Sequence, residues 1–260
     1  MDKNKPKRGQ TGEEKDFHDK CFRSEHPTTS WLERWIISLY PTMPNHIDRL
    51  LASLGQVSGK RICEIGCGGG GLTCELARRG AHVSASDISS EAVSLARKNN
   101  EKFIPEQVEV QEMDACDLFY SDGSFDFVVG ISILHHLDIC KAAGEINRVL
   151  KPGGKAVFVE PLAHNPISNL WRKLSPSART PDERPLSYHE ISAMSKNFSS
   201  MECQEYALLT LLSSLVYLIT HNHQAKVRSA ELIAKFEPAF LEICRPLKRY
   251  SGAILIEFTK

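Results

Sequence analysis

A run of glycines follows a short apolar segment and has the spacing of a nucleotide-binding turn. Gly66, Gly68 and Gly71 match the pattern G-x-G-x-x-G directly after a predicted strand at 61–65. Glycines at these positions allow a tight turn and a close approach of the backbone to a ligand. Asp87 ends the next predicted strand, where an acid can accept hydrogen bonds from both ribose hydroxyls. The glycines and the acid together predict a nucleoside-containing ligand.

The negative charge of Glu64 distinguishes between two candidate ligands of this kind. Glu64 lies two residues before Gly66, so a pyrophosphate on this turn would meet a like charge in a partly shielded site, which costs free energy. S-adenosylmethionine carries no phosphate, and its carboxylate can bind the amides of the turn while its positive groups face Glu64. We therefore favour S-adenosylmethionine over a nicotinamide dinucleotide as the ligand.

The hydrophobic pattern places this turn in an alternating series of strands and helices. Such alternation indicates βαβ units and a mostly parallel sheet. We also expect N-terminal helices, one around Trp31 to Leu39 and one at 46–54, and a last strand at 252–258. The first five predicted strands cover residues 61–65, 82–85, 108–110, 125–129 and 155–159.

The pattern predicts one domain. We expect a disordered polar tail at 1–15 and a single domain over 16–260, with its cofactor-binding core at 45–160. An acceptor-side loop and a helical insertion, rich in apolar residues, follow at 161–250. Loops this long in compact domains are often functional, so we expect this part of the chain to face the second substrate.

The composition argues against several classes of function. Lys plus Arg and Asp plus Glu each number 32 among the 260 residues, so no global basic field favours nucleic acid. We expect no secretory signal, and the apolar stretch at 207–219 is shorter than the about 20 residues of a spanning helix. The eight cysteines are predicted to be reduced thiols of a cytoplasmic protein without a metal site.

Four motifs, in the same order and at suitable spacing, resemble those of the class I S-adenosylmethionine-dependent methyltransferases, in particular the broad type 11 group. They begin at Glu64 (E-I-G-C-G), Asp87 (D-I-S), Met113 (M-D-A-C-D-L, then S-D-G-S-F-D) and Arg148 (R-V-L-K-P-G-G). The resemblance covers roughly residues 45–160. It implies a Rossmann-like α/β fold, with helices on both faces of a seven-stranded, mostly parallel sheet whose last strand is antiparallel.

The same resemblance implies how the glycine turn is used. Glu64, Gly66, Cys67 and Gly68 would hold the methionine part of S-adenosylmethionine. The chain has additional glycines up to Gly71, where the family often has a larger residue.

The remaining cofactor contacts implied by the resemblance lie after the next three strands. Asp87 would hold the ribose, and Ile88 would pack beside the adenine. Asp114 and the backbone of Ala115 would bind the adenine amino group, and Gly130 would line the sulfonium side.

Two histidines and one acid are the candidate catalytic residues. Methyl transfer is an in-line displacement, and it needs a base only when the acceptor must lose a proton. His135 follows the fourth predicted strand, where related small-molecule methyltransferases contact the acceptor, so it is our candidate base or acceptor contact, with His136 second. Glu160 ends the fifth strand, at the edge where open α/β sheets keep their sites. A structural role in the loops is the alternative for all three.

We therefore expect a methyl transfer from S-adenosylmethionine to an O, N or C atom of a small, hydrophobic molecule, in a monomer or homodimer. One alternative is a quinone or isoprenoid-lipid methyltransferase at a membrane surface, since the apolar stripe at 207–219 can contact lipid. Alternatives of another class are an NAD(P)-dependent oxidoreductase and a cofactor-binding protein without catalysis.

Overall fold

Seven strands form a single sheet in the computed structural model, which describes residues 11–22, 46–174 and 184–260. The strands are β1 (Arg61–Ile65), β2 (His82–Asp87), β3 (Val108–Glu112), β4 (Phe125–Ile131), β5 (Leu150–Pro161), β6 (Ser200–Tyr206) and β7 (Ala253–Thr259). Their order across the sheet is β3-β2-β1-β4-β5-β7-β6. The first five strands are parallel, and β7 runs antiparallel to both of its neighbours. The expected α/β fold with an antiparallel last strand is confirmed.

Helices cover both faces of this sheet. The helices are α1 (Thr11–Phe22), α2 (His46–Leu54), α3 (Gly71–Arg78), α4 (Ser90–Asn100), α5 (Ile139–Val149), α6 (Pro166–Leu174), α7 (Tyr188–Ser195), α8 (Ser213–Thr220) and α9 (His223–Ile243). Successive side chains of a strand point to opposite faces. Phe158 of β5 therefore packs with α5 and α7 in one apolar cluster, whereas Val157 packs with α2, α3 and α4 in the other.

The N-terminal part of the chain differs from the prediction. The predicted disordered tail included residues 11–15, but these form the first turns of α1. Tertiary contacts hold this polar helix: Lys15 pairs with Glu112 at the end of β3, and Asp19 accepts a hydrogen bond from Ser89. Residues 1–10 and the predicted helix around 31–39 lie outside the described residues.

The acceptor-side loop contains a helix that we did not predict. Asn165 caps α6 because its side-chain oxygen accepts a hydrogen bond from the amide of Ser168 at 2.8 Å. Pro166 then occupies the first helical position, where its fixed φ is favourable and no amide hydrogen is needed. An Asn-Pro pair before helical periodicity is therefore the sequence signal for this element.

The glycine turn joins β1 to α3 through Gly70, whose φ is +76°. A Cβ atom at Gly70 would lie 2.4 Å from Asn100 Nδ2 and 3.0 Å from the Cβ of Ala96, both on α4. The side-chain amide of Asn100 also donates a hydrogen bond to the carbonyl of Gly70 at 3.1 Å. The neighbouring Gly71 is different, since an added Cβ would have no neighbour within 4 Å. Only the first of these two glycines is required by the packing.

This difference predicts opposite effects of the same substitution at adjacent positions. Gly70→Ala is expected to lower the free energy of unfolding by about 2–4 kcal/mol, because it combines a left-handed φ with an overpacked contact. Gly71→Ala is expected to change it by less than about 1 kcal/mol, in the stabilising direction, because alanine favours the helix. Urea unfolding followed by circular dichroism measures both, and equal losses in the two variants would contradict this account of the turn.

Candidate functional site

The predicted site residues meet at one edge of the sheet. The carboxyl ends of parallel strands lie together in an open α/β fold, and ligands bind in the crevice outside them. Glu64 lies near the end of β1, Asp87 at the end of β2 and Glu160 near the end of β5. His135 and His136 lie in a short 3-10 helix, Leu134–His136, directly after β4.

The glycine turn and the acid after β2 are in direct contact. The amide of Gly68 donates to one oxygen of Asp87 at 2.9 Å, and the amide of Ser89 donates to the other at 3.0 Å. The amide of Cys67 donates to the carbonyl of Ser86 at 2.9 Å, which ties the turn to β2. The backbone therefore fixes the carboxylate of Asp87 beside the turn, where it can accept hydrogen bonds from a ribose.

Glu64 is a buried acid, only 2% exposed. Its carboxylate accepts a hydrogen bond from the hydroxyl of Thr73 on α3 at 2.6 Å. Burial raises the pKa of Glu64 to about 8; the hydrogen bond from Thr73 opposes this shift and the nearby Asp87 adds to it. A carboxyl group in this state favours a neighbouring positive group. Thr73 was not predicted, and its only signal is a polar residue on the buried face of a helix.

The residues that we expect around the adenine lie directly after the neighbouring strands β2 and β3. The side chain of Asp114 accepts a hydrogen bond from the amide of Cys116 at 2.8 Å, which forms a tight turn after β3. Ala115, inside this turn, is buried, and Ile88 follows Asp87 and is half-buried. The positions fit the wall of an adenine pocket next to Asp87.

Gly130 is in close contact with the loop after β4. A Cβ atom at Gly130 would lie 2.6 Å from the side chain of Ile133 and 2.9 Å from the carbonyl oxygen of Ile65. A Cβ atom at Gly66 would lie 2.7 Å from the same isoleucine. Ile133 thus packs against both glycines and couples the loop after β4 to the glycine turn.

One carboxylate organises the candidate catalytic residues. Glu160 is fully buried, and one of its oxygens accepts hydrogen bonds from the amides of Ile133 and Leu134, each at 2.8 Å. Its other oxygen lies 2.7 Å from Nδ1 of His135, which is itself 3% exposed. A carboxylate at Nδ1 selects the tautomer that has its proton there, so that Nε2 is the acceptor nitrogen. Such an imidazole can take a proton from a substrate hydroxyl.

The backbone next to this pair is strained. Ser132 has a φ of +55°, a left-handed conformation that is uncommon for residues other than glycine. Its amide donates to the carbonyl of Val159 at 2.8 Å, which holds the start of the loop against β5. Strain of this kind is found mostly where a surrounding structure fixes a functional geometry.

The N-terminal helix reaches the same site. The ring of His136 lies 4.1 Å from that of His135 and 5.3 Å from that of His18 on α1, measured between ring centroids. The place of His18 could not be predicted from the sequence, since this residue lies in a polar segment without apolar periodicity. In the part of the chain that the structure describes, no helix has the length and hydropathy to cross a bilayer.

Comparisons with known proteins agree with this geometry. Residues 63–158 match the protein family described as "Methyltransferase domain". Ubiquinone biosynthesis O-methyltransferase of Alkalilimnicola ehrlichii is 35% identical over 138 residues, which are 51% of this chain and 54% of the relative. The chain therefore spans about half the length of the curated relatives it matches.

Solved structures show the same fold at low sequence identity. Phosphoethanolamine N-methyltransferase 2 of Haemonchus contortus, solved with S-adenosylhomocysteine, has a TM-score of 0.63 at 20% identity, covering 95% of this chain and 59% of that one. Geranyl diphosphate C-methyltransferase of Streptomyces coelicolor A3(2) has a TM-score of 0.59 at 19% identity, covering 90% and 85%. The family match and the shared fold confirm, over residues 63–158, the predicted resemblance to the class I S-adenosylmethionine-dependent methyltransferases.

Proposed function

We propose that this protein transfers the methyl group of S-adenosylmethionine to an oxygen atom of a small, hydrophobic molecule. The observation that carries the choice of oxygen is the buried pair of His135 and Glu160, 2.7 Å apart at the carboxyl edge of the sheet. A hydroxyl group must lose a proton when it is methylated, so a positioned base is useful there. Several curated relatives are named as O-methyltransferases, which supports the same choice.

The turn after β1 and the acids around it fit the proposed cofactor. The amides of the glycine turn would bind the methionine carboxylate, and Glu64 would face its positive groups. Asp87 would accept the ribose hydroxyls, with Ile88, Asp114 and Ala115 around the adenine. When bound, S-adenosylmethionine supplies a methyl group activated by the sulfonium. An NAD(P)-dependent reaction is disfavoured, because the buried Glu64 would lie against a pyrophosphate.

The residues after β4 would align and activate the acceptor. Nε2 of His135 would accept the proton of the acceptor hydroxyl, while Glu160 holds the ring and stabilises the imidazolium that results. His136 and His18 would cover this side of the site and exclude water. Glu160 is therefore a positioning residue in this proposal, and His135 is the catalytic one.

Action at a membrane surface is a second proposal, and exposed apolar side chains favour it. They lie on α6, α8 and α9, three helices of the acceptor-side part of the chain, and at Leu212 directly before α8. Exposed apolar patches of this kind mark surfaces that contact a partner or a membrane. These side chains are Ile167, Leu170, Leu174, Leu212, Leu215, Ile219, Leu232, Phe236 and Ile243. A cytoplasmic location and a monomeric or homodimeric state stay predictions.

An assay of methyl transfer tests the role of the two histidines. With methyl-labelled S-adenosylmethionine and a panel of hydrophobic phenols and alcohols, we expect the wild type to label an extractable product. His135→Ala is expected to lower kcat by about 10²–10⁴-fold, as for loss of a positioned base, with unchanged affinity for S-adenosylhomocysteine. The adjacent variant His136→Ala is the matched control and is expected to lose less than about 10-fold.

The same assay contains the tests of the alternatives. Acceptors are offered both in solution and in phospholipid vesicles, and a rate that rises only with vesicles would favour the membrane surface. Full activity of His135→Ala on hydroxyl acceptors would contradict the proposed base. Labelling of amines alone would contradict the choice of oxygen.

The titration of Glu64 predicts a pH-dependent stability of the ligand-free protein. Its pKa rises from an ordinary 4.5 to about 8 on folding, so the folded state binds the proton more tightly between these values. The wild type should therefore lose unfolding free energy relative to Glu64→Gln as the pH rises from 5 to 8, by about 1–3 kcal/mol. Urea unfolding of both proteins at several pH values measures this difference, and parallel curves would contradict a buried, uncompensated Glu64.

A further inference from the structure

A second polar region lies at the same edge of the sheet, beyond β5. Tyr206, the last residue of β6, pairs with Ala253 of β7, and Ala253 in turn pairs with Pro161 of β5. The amide of Gly252 donates to the carbonyl of Ala207, and the amide of Leu162 donates to that of Gly252, both at 3.1 Å. The segments that follow β5 and β6 and precede β7 therefore converge beside Glu160.

Four buried polar atoms in this region lack a hydrogen-bond partner among the described residues. They are Nε of Arg49 on α2 and the hydroxyl oxygens of Tyr206, Thr210 and Ser251. The three hydroxyl-bearing residues are 2%, 1% and 0% exposed. Buried polar groups in folded proteins are paired in the great majority, so four such atoms on converging segments call for an explanation.

The charges around these atoms favour an anion. The guanidinium carbon of Arg49 lies 4.5 Å from the ring centroid of Tyr206. Besides burial, two carboxylates, those of Glu160 and Glu237, act electrostatically on the phenol and raise its pKa. Each of these carboxylates already accepts three hydrogen bonds. Glu160 accepts them from His135 and two loop amides. Glu237 accepts them from the amides of Ala207, Leu209 and Thr210. Among the described residues, Nε of the Arg49 guanidinium has no hydrogen-bond partner.

The three hydroxyls can all act as donors to such a group. Burial raises the pKa of the Tyr206 phenol well above its ordinary value, so it keeps its proton. Together with the guanidinium, the hydroxyls form a donor set suited to a carboxylate or a phosphate.

We propose that Arg49, Tyr206, Thr210 and Ser251 form a subsite that binds an anionic oxygen group of the methyl acceptor, a carboxylate or a phosphate. This inference rests on the proposed function, because it assigns the acceptor a second polar end. The hydroxyl that receives the methyl group would lie at His135 and the anionic group at the subsite; Glu160 contacts His135 and acts electrostatically on Tyr206. The acceptor class is thus an apolar molecule with both a nucleophilic hydroxyl and an acidic group.

Titration calorimetry on the protein saturated with S-adenosylhomocysteine tests this subsite with three simple probes. Hexanoate and hexyl phosphate offer the two anionic groups on the same chain, and hexanol offers a neutral one. We expect at least one anion to bind at least 10-fold more tightly than hexanol. Arg49→Leu and Tyr206→Phe are each expected to weaken that anion at least 10-fold and to leave the affinity for S-adenosylhomocysteine unchanged.

A stability measurement provides an independent readout. Because the Tyr206 hydroxyl has no partner among the residues that the structure describes, Tyr206→Phe should melt at the same or a higher temperature than the wild type. Tyr120→Phe is the matched control: it also removes a buried phenol hydroxyl, but the ring of Tyr120 packs on Phe125 at the start of β4, the strand end that lies away from the subsite. This variant should bind the probes like the wild type.

The outcomes separate this inference from the proposed function. Equal binding of hexanol and both anions, unchanged anion binding in Tyr206→Phe, or a lower melting temperature of that variant would each overturn the subsite. Failure of S-adenosylhomocysteine to bind in the first step would instead overturn the proposed cofactor. A preference for hexanoate or for hexyl phosphate identifies which of the two anionic groups the acceptor carries.

Discussion

The carboxylate of Glu160 is the interaction on which the acceptor side of this fold depends. It is fully buried, and it accepts hydrogen bonds from two amides of the loop after β4 and from His135, all within 2.8 Å. A buried carboxylate is costly unless its oxygens are satisfied, so the loop and the imidazole must take this one arrangement. The strained Ser132 and the packing of Ile133 on Gly66 and Gly130 follow from it.

The glycine turn lies beside a second buried acid, Glu64, whose surroundings differ from those of Glu160. Among the described residues, the carboxylate of Glu64 accepts one hydrogen bond, from Thr73, and burial raises its pKa to about 8. Both carboxylate oxygens of Glu160 have hydrogen-bond donors within the fold. The carboxylate of Glu64 has one donor in the part of the chain that the structure describes, which favours a positive group of a ligand beside it. The neighbouring Asp87 is fixed by two amides. The contrast between the two acids supports the roles that we propose for them, positioning for Glu160 and ligand binding for Glu64.

Much of this arrangement could be predicted from the sequence, because it is encoded locally. The glycine spacing, the acid at the end of β2 and the alternation of strands and helices predict the sheet and its ligand edge. The contacts between side chains of different elements could not be predicted: Thr73 with Glu64, His18 with His136, and Arg49 with Tyr206. Helix α6 was missed although Asn165 and Pro166 mark its start, because the rest of the segment has the composition of a loop.

The central claim is that the glycine turn binds an S-adenosyl ligand through Glu64. Parallel calorimetric titrations of the full chain with S-adenosylmethionine, S-adenosylhomocysteine and NAD test it most directly. We predict binding of the two sulfur ligands and not of NAD, with an affinity about 10–100-fold lower in Glu64→Gln, as for loss of a charge-assisted contact. Binding of NAD alone, or an unchanged affinity in Glu64→Gln, would contradict the account.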